Sequence, residues 1–119
     1  MTPDAHRRAL LTAALGFALL RTRDGSAPPE TQPLRQWLDT WRGLGDVVTG
    51  MNRQGYRLHL ANADAGRWRA TFEREPLLSP DGFSTEATPW RAVQVAAWEA
   101  LTRTAAGRTA MSAEEGILP

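Results

Sequence analysis

The stretch that decides the fold is residues 56–73, YRLHLANADAGRWRATFE. Tyr56, Leu58 and Leu60 alternate with Arg57, His59 and Ala61, the two-residue period of a strand with one buried face. Asn62 to Gly66 has the composition of a turn, and beyond it Trp68, Ala70 and Phe72 alternate with Arg67, Arg69, Thr71 and Glu73. Two such strands joined by a short loop predict an antiparallel hairpin, apolar on one side and arginine-bearing on the other. A hairpin alone is not stable in water, so its apolar side has to lie on helices.

The flanking segments supply them. Before the hairpin, Leu34, Trp37, Leu38, Trp41, Leu44, Val48 and Met51 recur at steps of three or four, which predicts one amphipathic helix with these side chains buried and Gly55 as its C-terminal cap. Gly43, Gly45 and Gly50 weaken it and point to a bend near Arg42 to Gly45. After the hairpin, Ser79, Pro80, Asp81 and Gly82 fit a type I turn, and Phe83 to Ala87 leaves room for a third short strand. Thr88 and Pro89 then open a helix with Trp90, Val93, Ala97 and Leu101 on one side and Glu99 and Arg103 opposite. The expected fold class is α+β: an antiparallel hairpin, with room for that third strand, packed against two amphipathic helices, plus an apolar N-terminal helix.

That N-terminal helix is signalled by Thr2 as cap, Pro3 in the first turn and Asp4 at the positive helix end. The run ALLTAALGFALL at 9–20 is too short to cross a bilayer, which takes about 20 apolar residues. A secretory reading would use it as the apolar core after His6, Arg7 and Arg8, with Gly25, Ser26 and Ala27 as cleavage site. Asp4 before the run and Arg21, Arg23 and Asp24 after it oppose that reading, so the chain is read as cytoplasmic. The expected organisation is the apolar helix at 1–21, a linker at 22–33 (TRDGSAPPETQP), the αββα core at 34–105 and a tail at 106–119 holding one helical turn, with Ser112 and Glu115 spaced as a capping box.

The order helix, strand, strand, helix over residues 34–104 has a tryptophan-bearing strand at Gly66 to Phe72. The run Thr85, Glu86, Ala87, Thr88, Pro89 leads into the alanine-rich WRAVQVAAWEAL. In these features the chain resembles small phage-type ABA-sandwich domains. The resemblance implies the fold and a phage or mobile-element origin, and it brings no active site. A fainter likeness is to HicB-like antitoxin domains, in which a hairpin and a turn lead to a helix that begins with threonine and contains Glu-Ala-Leu, here Thr88 and Glu99, Ala100, Leu101.

Composition narrows the chemistry. With 119 residues, 42% hydrophobic and 23% charged, the chain is sized for one globular domain. The lack of cysteine excludes disulfides, thiolate zinc sites and cysteine nucleophiles. Fourteen basic against thirteen acidic residues leave a net charge of +1, so any electropositive function is a local patch. Every one of those cations is arginine, a planar fork suited to carboxylate or phosphate. His6 and His59 lie on different segments, and there is no phosphate loop, no G-x-S-x-G and no ligand-spaced cluster. Asp39 and Asp46, seven apart, read as solvated carboxylates. No metal or cofactor is implied, and an enzyme reading would rest on His59 with a nearby carboxylate.

Two binding surfaces are expected instead. The leading expectation is a non-enzymatic binding or assembly module that forms a homodimer or takes a protein partner through Leu11, Leu15, Phe17, Val95 and Trp98, because the apolar helix and Trp98 exceed what one hairpin and two helices can cover. The alternative is nucleic-acid binding through Arg57, His59, Arg67 and Arg69 on the outer face of the hairpin. The plain reading of that face is a solvated surface balanced by Glu73, with no aromatic ring to stack a base.

Overall fold

Thr2 opens the first helix, its hydroxyl accepting from Ala5 N at 3.1 Å, and α1 runs Pro3–Ala18. The computed structural model describes residues 2–74 and 81–117, with 104–117 as backbone only. After α1, Asp24 folds 22–26 into a tight turn, and a 3-10 turn at Pro29–Thr31 leads directly into α2, Gln32–Leu38. The stretch read as a linker therefore holds local structure and a fully buried Thr31.

The helix expected from Leu34 is two helices. Asp39 and Thr40 leave helical geometry, and α3 begins at Trp41 and ends at Arg53. Thr40 makes the corner: its hydroxyl donates to Trp37 O at 2.7 Å and accepts from Gly43 N at 3.0 Å, a serine/threonine cap in the middle of the predicted helix. The break thus falls before the glycines where a bend was expected. Gly43 closes against this corner, because a Cβ there would overlap the Trp37 carbonyl oxygen. Gln94, itself buried, ties the corner to the last helix by donating to Asp39 Oδ1 at 2.8 Å and Leu38 O at 3.3 Å. One consequence contradicts the sequence pattern: Leu38, Leu44, Val47 and Met51 are buried, while Trp37 and Trp41 are about half exposed. Trp41 stands edge-on to Trp68 and Trp90, with ring centroids 5.9 and 6.1 Å away.

β1 (Arg57–Asn62), β2 (Trp68–Glu73) and β3 (Gly82–Glu86) form an antiparallel sheet in the order β1-β2-β3. The register sets Leu58 opposite Phe72, Leu60 opposite Ala70, and Ala70 opposite Ser84. The third strand is therefore a full member of the sheet. The type I turn expected at Ser79 to Gly82 falls partly on residues 75–80, outside the described residues. α4 runs Pro89–Ile117. Its backbone continues through Gly107, where the sequence predicted the helix to end, and the Ser112/Glu115 capping box lies outside the described side chains.

The helices cover one face of the sheet. Ala92, Ala96 and Ala100 recur every fourth residue on α4 and are fully buried, which brings that helix close to β2 and β3. Tyr56, Phe72, Val93 and Leu101 fill the same layer, and Leu15 and Ala18 add α1 to it. Arg8 fastens α1 to both layers, donating to Tyr56 Oη at 3.3 Å and to Leu101 O at 3.2 Å. No helix among the described residues is long and apolar enough to cross a membrane.

Candidate nucleic-acid interface

With helices on one side, the other face of the sheet is open. Alternation turns Arg57 and His59 of β1, Arg69, Thr71 and Glu73 of β2, and Phe83 and Thr85 of β3 onto it, while Leu58, Ala70 and Phe72 turn inward. The inward and outward sets expected from residues 56–73 are the observed ones. Arg57, His59, Arg67 and Arg69 are all exposed; pairing of β1 with β2 holds Arg57, His59 and Arg69 on one surface, and Arg67 stands just before β2, held by its hydrogen bond to Thr85 O.

Each charge on this face has a defined setting. His59 Nε2 lies 2.8 Å from Glu73 Oε1, a diagonal contact from β1 to β2. Arg67 Nη2 donates to Thr85 O at 3.1 Å, which ties the turn before β2 to β3. The Arg69 guanidinium lies 5.9 Å from the centre of the Phe83 ring, within cation–π range. Arg57 has no hydrogen-bond or ion-pair partner among the described residues, since the carboxylate opposite it in register, Glu73, is taken by His59. The open face thus carries three guanidinium groups and a histidine against one carboxylate.

Phe83 is the residue that sequence reasoning missed on this surface. Its ring is 47% exposed, and it stands opposite Thr71, beside Arg69. No local pattern fixed its face: it is the pairing of β3 with β2, with Gly82 and Ser84 inward, that turns Phe83 outward. The hairpin's own outer face has no aromatic ring, and β3 adds one to the open side of the sheet.

The residues expected to form a protein-interaction surface divide. Leu15 is fully buried in the core and Leu11 packs on it, so neither belongs to an outer surface, because both lie on the α1 face turned toward the other helices. Val95 and Trp98 are half-buried on α4, and Phe17 is exposed on α1. Phe17 and Trp98 meet across a shallow apolar groove of about 810 Å³ between α1 and α4, with Ala5, Ala9, Ala13 and Leu101 along it. Trp98 reaches α1 because position 16 is glycine: a Cβ there would come within 2.8 Å of the indole ring.

Asp39 and Asp46, read from the sequence as solvated carboxylates, both have partners. Asp46 Oδ2 accepts from Trp37 Nε1 at 2.9 Å, and Asp39 accepts from Gln94 and faces Arg91 at 4.0 Å. Burial lowers the Arg91 guanidinium below its ordinary range, and Asp39 opposes that shift. Among the described residues no group of three or more histidines and carboxylates is placed to hold a metal ion. Compared with known proteins, the chain matches no family model, no curated protein and no solved structure.

Proposed function

We propose that this chain is a non-catalytic binding module that takes single-stranded nucleic acid on the open face of its sheet. The observation that carries this reading is the pairing of Arg69 with the exposed Phe83 ring, on a sheet that also presents Arg57 on β1 and Arg67 just before β2. Guanidinium forks suit phosphate oxygens, and an exposed ring on a sheet suits a base that is not already stacked in a duplex. Single strands offer both partners at once, whereas a duplex offers this face only its phosphates. The resemblance to phage-type ABA-sandwich domains adds a mobile-element setting for such a module.

Fluorescence anisotropy with labelled single-stranded RNA, single-stranded DNA and duplex DNA tests the reading. The expected result is preference for the single strands and affinity that falls with salt, with a logarithmic slope of about −2 for three phosphate contacts. Phe83→Ala should weaken single-strand binding by roughly tenfold, within the range of about 1–3 kcal/mol per stacked base, and should leave duplex binding unchanged. No salt-sensitive binding at low ionic strength, or equal loss on both substrates, overturns it.

A further inference from the structure

We infer that β1 of a second copy of this chain pairs with the free edge of β1, joining two sheets across a two-fold axis. In an antiparallel sheet, residues that exchange backbone hydrogen bonds alternate with residues whose backbone groups point away from the partner strand. Ala63 N donates to Arg67 O at 2.7 Å on the register of the β1–β2 pair, so Ala61, His59 and Arg57 are the residues of β1 that bond to β2. The N–H and C=O groups of Leu58, Leu60 and Asn62 therefore point out from the sheet, and no strand among the described residues meets them. The other edge is shorter: the same alternation turns only Phe83 and Thr85 of β3 outward, and Thr85 O already accepts from Arg67. β1 has neither a proline nor a break in register to blunt its edge, which makes it a template for another strand. Its side chains agree. α4 packs on β2 and β3 while β1 leans on α3, so Leu58 and Leu60 stay half-buried although Phe72 and Ala70, opposite them, are sealed.

The strand that fits this edge is β1 itself. A two-fold axis at Leu60 sets Leu60 opposite its own counterpart and Leu58 opposite Asn62, and this register pairs every outward backbone group of both strands at once. Each side chain keeps its face, with Leu58 and Leu60 on the helix side and Arg57 and His59 opposite Ala63 and Ala61 of the second copy on the open side. Charge favours the same register. Arg57 has no partner, and Asp64, exposed and next after Ala63, has none for its carboxylate among the described residues. The pairing brings each free guanidinium to the turn that carries the other copy's free carboxylate. It also holds the two Arg57 residues about 20 Å apart, at about 3.4 Å per residue, beyond a Debye length of about 8 Å at physiological salt. The product is one continuous six-stranded sheet. Because the seam is the sheet's edge and not its open face, the inference stands without the nucleic-acid reading.

Sedimentation equilibrium of the full chain, free of nucleic acid, over a micromolar concentration series tests this. The expected result is a rise from one chain mass to two. Asn62 is exposed and its N–H points to the edge, so Asn62→Pro keeps the bonds to β2 and removes a donor from the seam. It should hold the protein at one chain mass with unchanged circular dichroism. The chain has no cysteine, so single introduced thiols report the register. Leu60→Cys faces its own counterpart at a Cα separation of about 5.5 Å and should oxidise to a linked dimer. Leu58→Cys should not, because the two copies of position 58 lie four residues apart along the seam, about 14 Å. Both substitutions take a half-buried leucine from the same side of the same strand, so a loss of stability is common to the two. A dimer unmoved by Asn62→Pro, or a thiol at position 60 that links no better than one at 58, overturns the inference. A monomer at every concentration also overturns it and leaves the edge to a strand of another protein or to water.

Discussion

Gly82 of β3 and Ala96 of α4 touch backbone to backbone: a Cβ at position 82 would overlap the Ala96 carbonyl oxygen and come within 2.8 Å of Ala100 N. The alanines of α4 allow that approach from one side and the glycine from the other. The expected outcome of Gly82→Ala is therefore destabilisation by roughly 1–3 kcal/mol, since neither backbone can give way cheaply. Urea denaturation measures it, and an unchanged midpoint would refute the contact.

The hairpin and its two faces were legible because each is a local pattern. Alternation over 56–73 assigns every side chain to a face without knowledge of the rest of the chain. What escaped is what depends on non-local contact. Trp37 and Trp41 share the apolar stripe from Leu34, yet Thr40 breaks the helix between them, and a threonine reads as a cap only once a corner exists there. Phe83 escaped because a five-residue strand carries too few alternations to fix its face until β2 is beside it. Leu15 and Phe17 look alike in the run 9–20, and only the packing of α1 on α4 separates the buried one from the exposed one.

The same packing gives a paired prediction. Leu15 is fully buried and Leu10 largely exposed on one helix. Leu15→Ala should cost about 2–5 kcal/mol of global stability, whereas Leu10→Ala should stay within about 0.5 kcal/mol. Denaturation monitored by tryptophan fluorescence compares them. Equal and small effects would mean that α1 is a detachable arm and no part of the core.

Ala65, in the turn between β1 and β2, holds φ at +61°, the left-handed region that an L side chain adopts at a cost of roughly 1–2 kcal/mol. Ala65→Gly removes that strain and adds chain entropy to the unfolded state, which offsets about 0.5–1 kcal/mol of the gain. A net stabilisation of up to about 1 kcal/mol is expected. A loss of stability in the same urea assay would contradict the assigned backbone.

Asp24 accepts from the Thr22 hydroxyl and from the Ser26 hydroxyl and amide, and these donors lower its carboxyl from 3.8 to about 2. A depressed folded-state value means that the turn's contribution is fully present above pH 3.8 and is lost as the pH falls through about 2. Carbon-detected NMR titration of the side-chain carboxyl should give a midpoint near the lower figure. A midpoint at the ordinary value would show that 22–26 is not folded as a turn.

Glu73 offers the sharpest handle on the open face, because it is the one carboxylate there among the described residues and it holds His59. Glu73→Gln keeps the shape of the side chain and removes its charge. An anion bound between Arg57 and Arg69 then loses a like charge nearby. At about 4 Å in high dielectric such a pair is worth about 1 kcal/mol, or roughly fivefold in affinity. Single-strand binding should tighten by that factor at low salt, and the gain should shrink as salt screens it. Anisotropy titrations of both proteins at low and at high salt read this directly. Identical affinities throughout would place the nucleic acid away from the sheet.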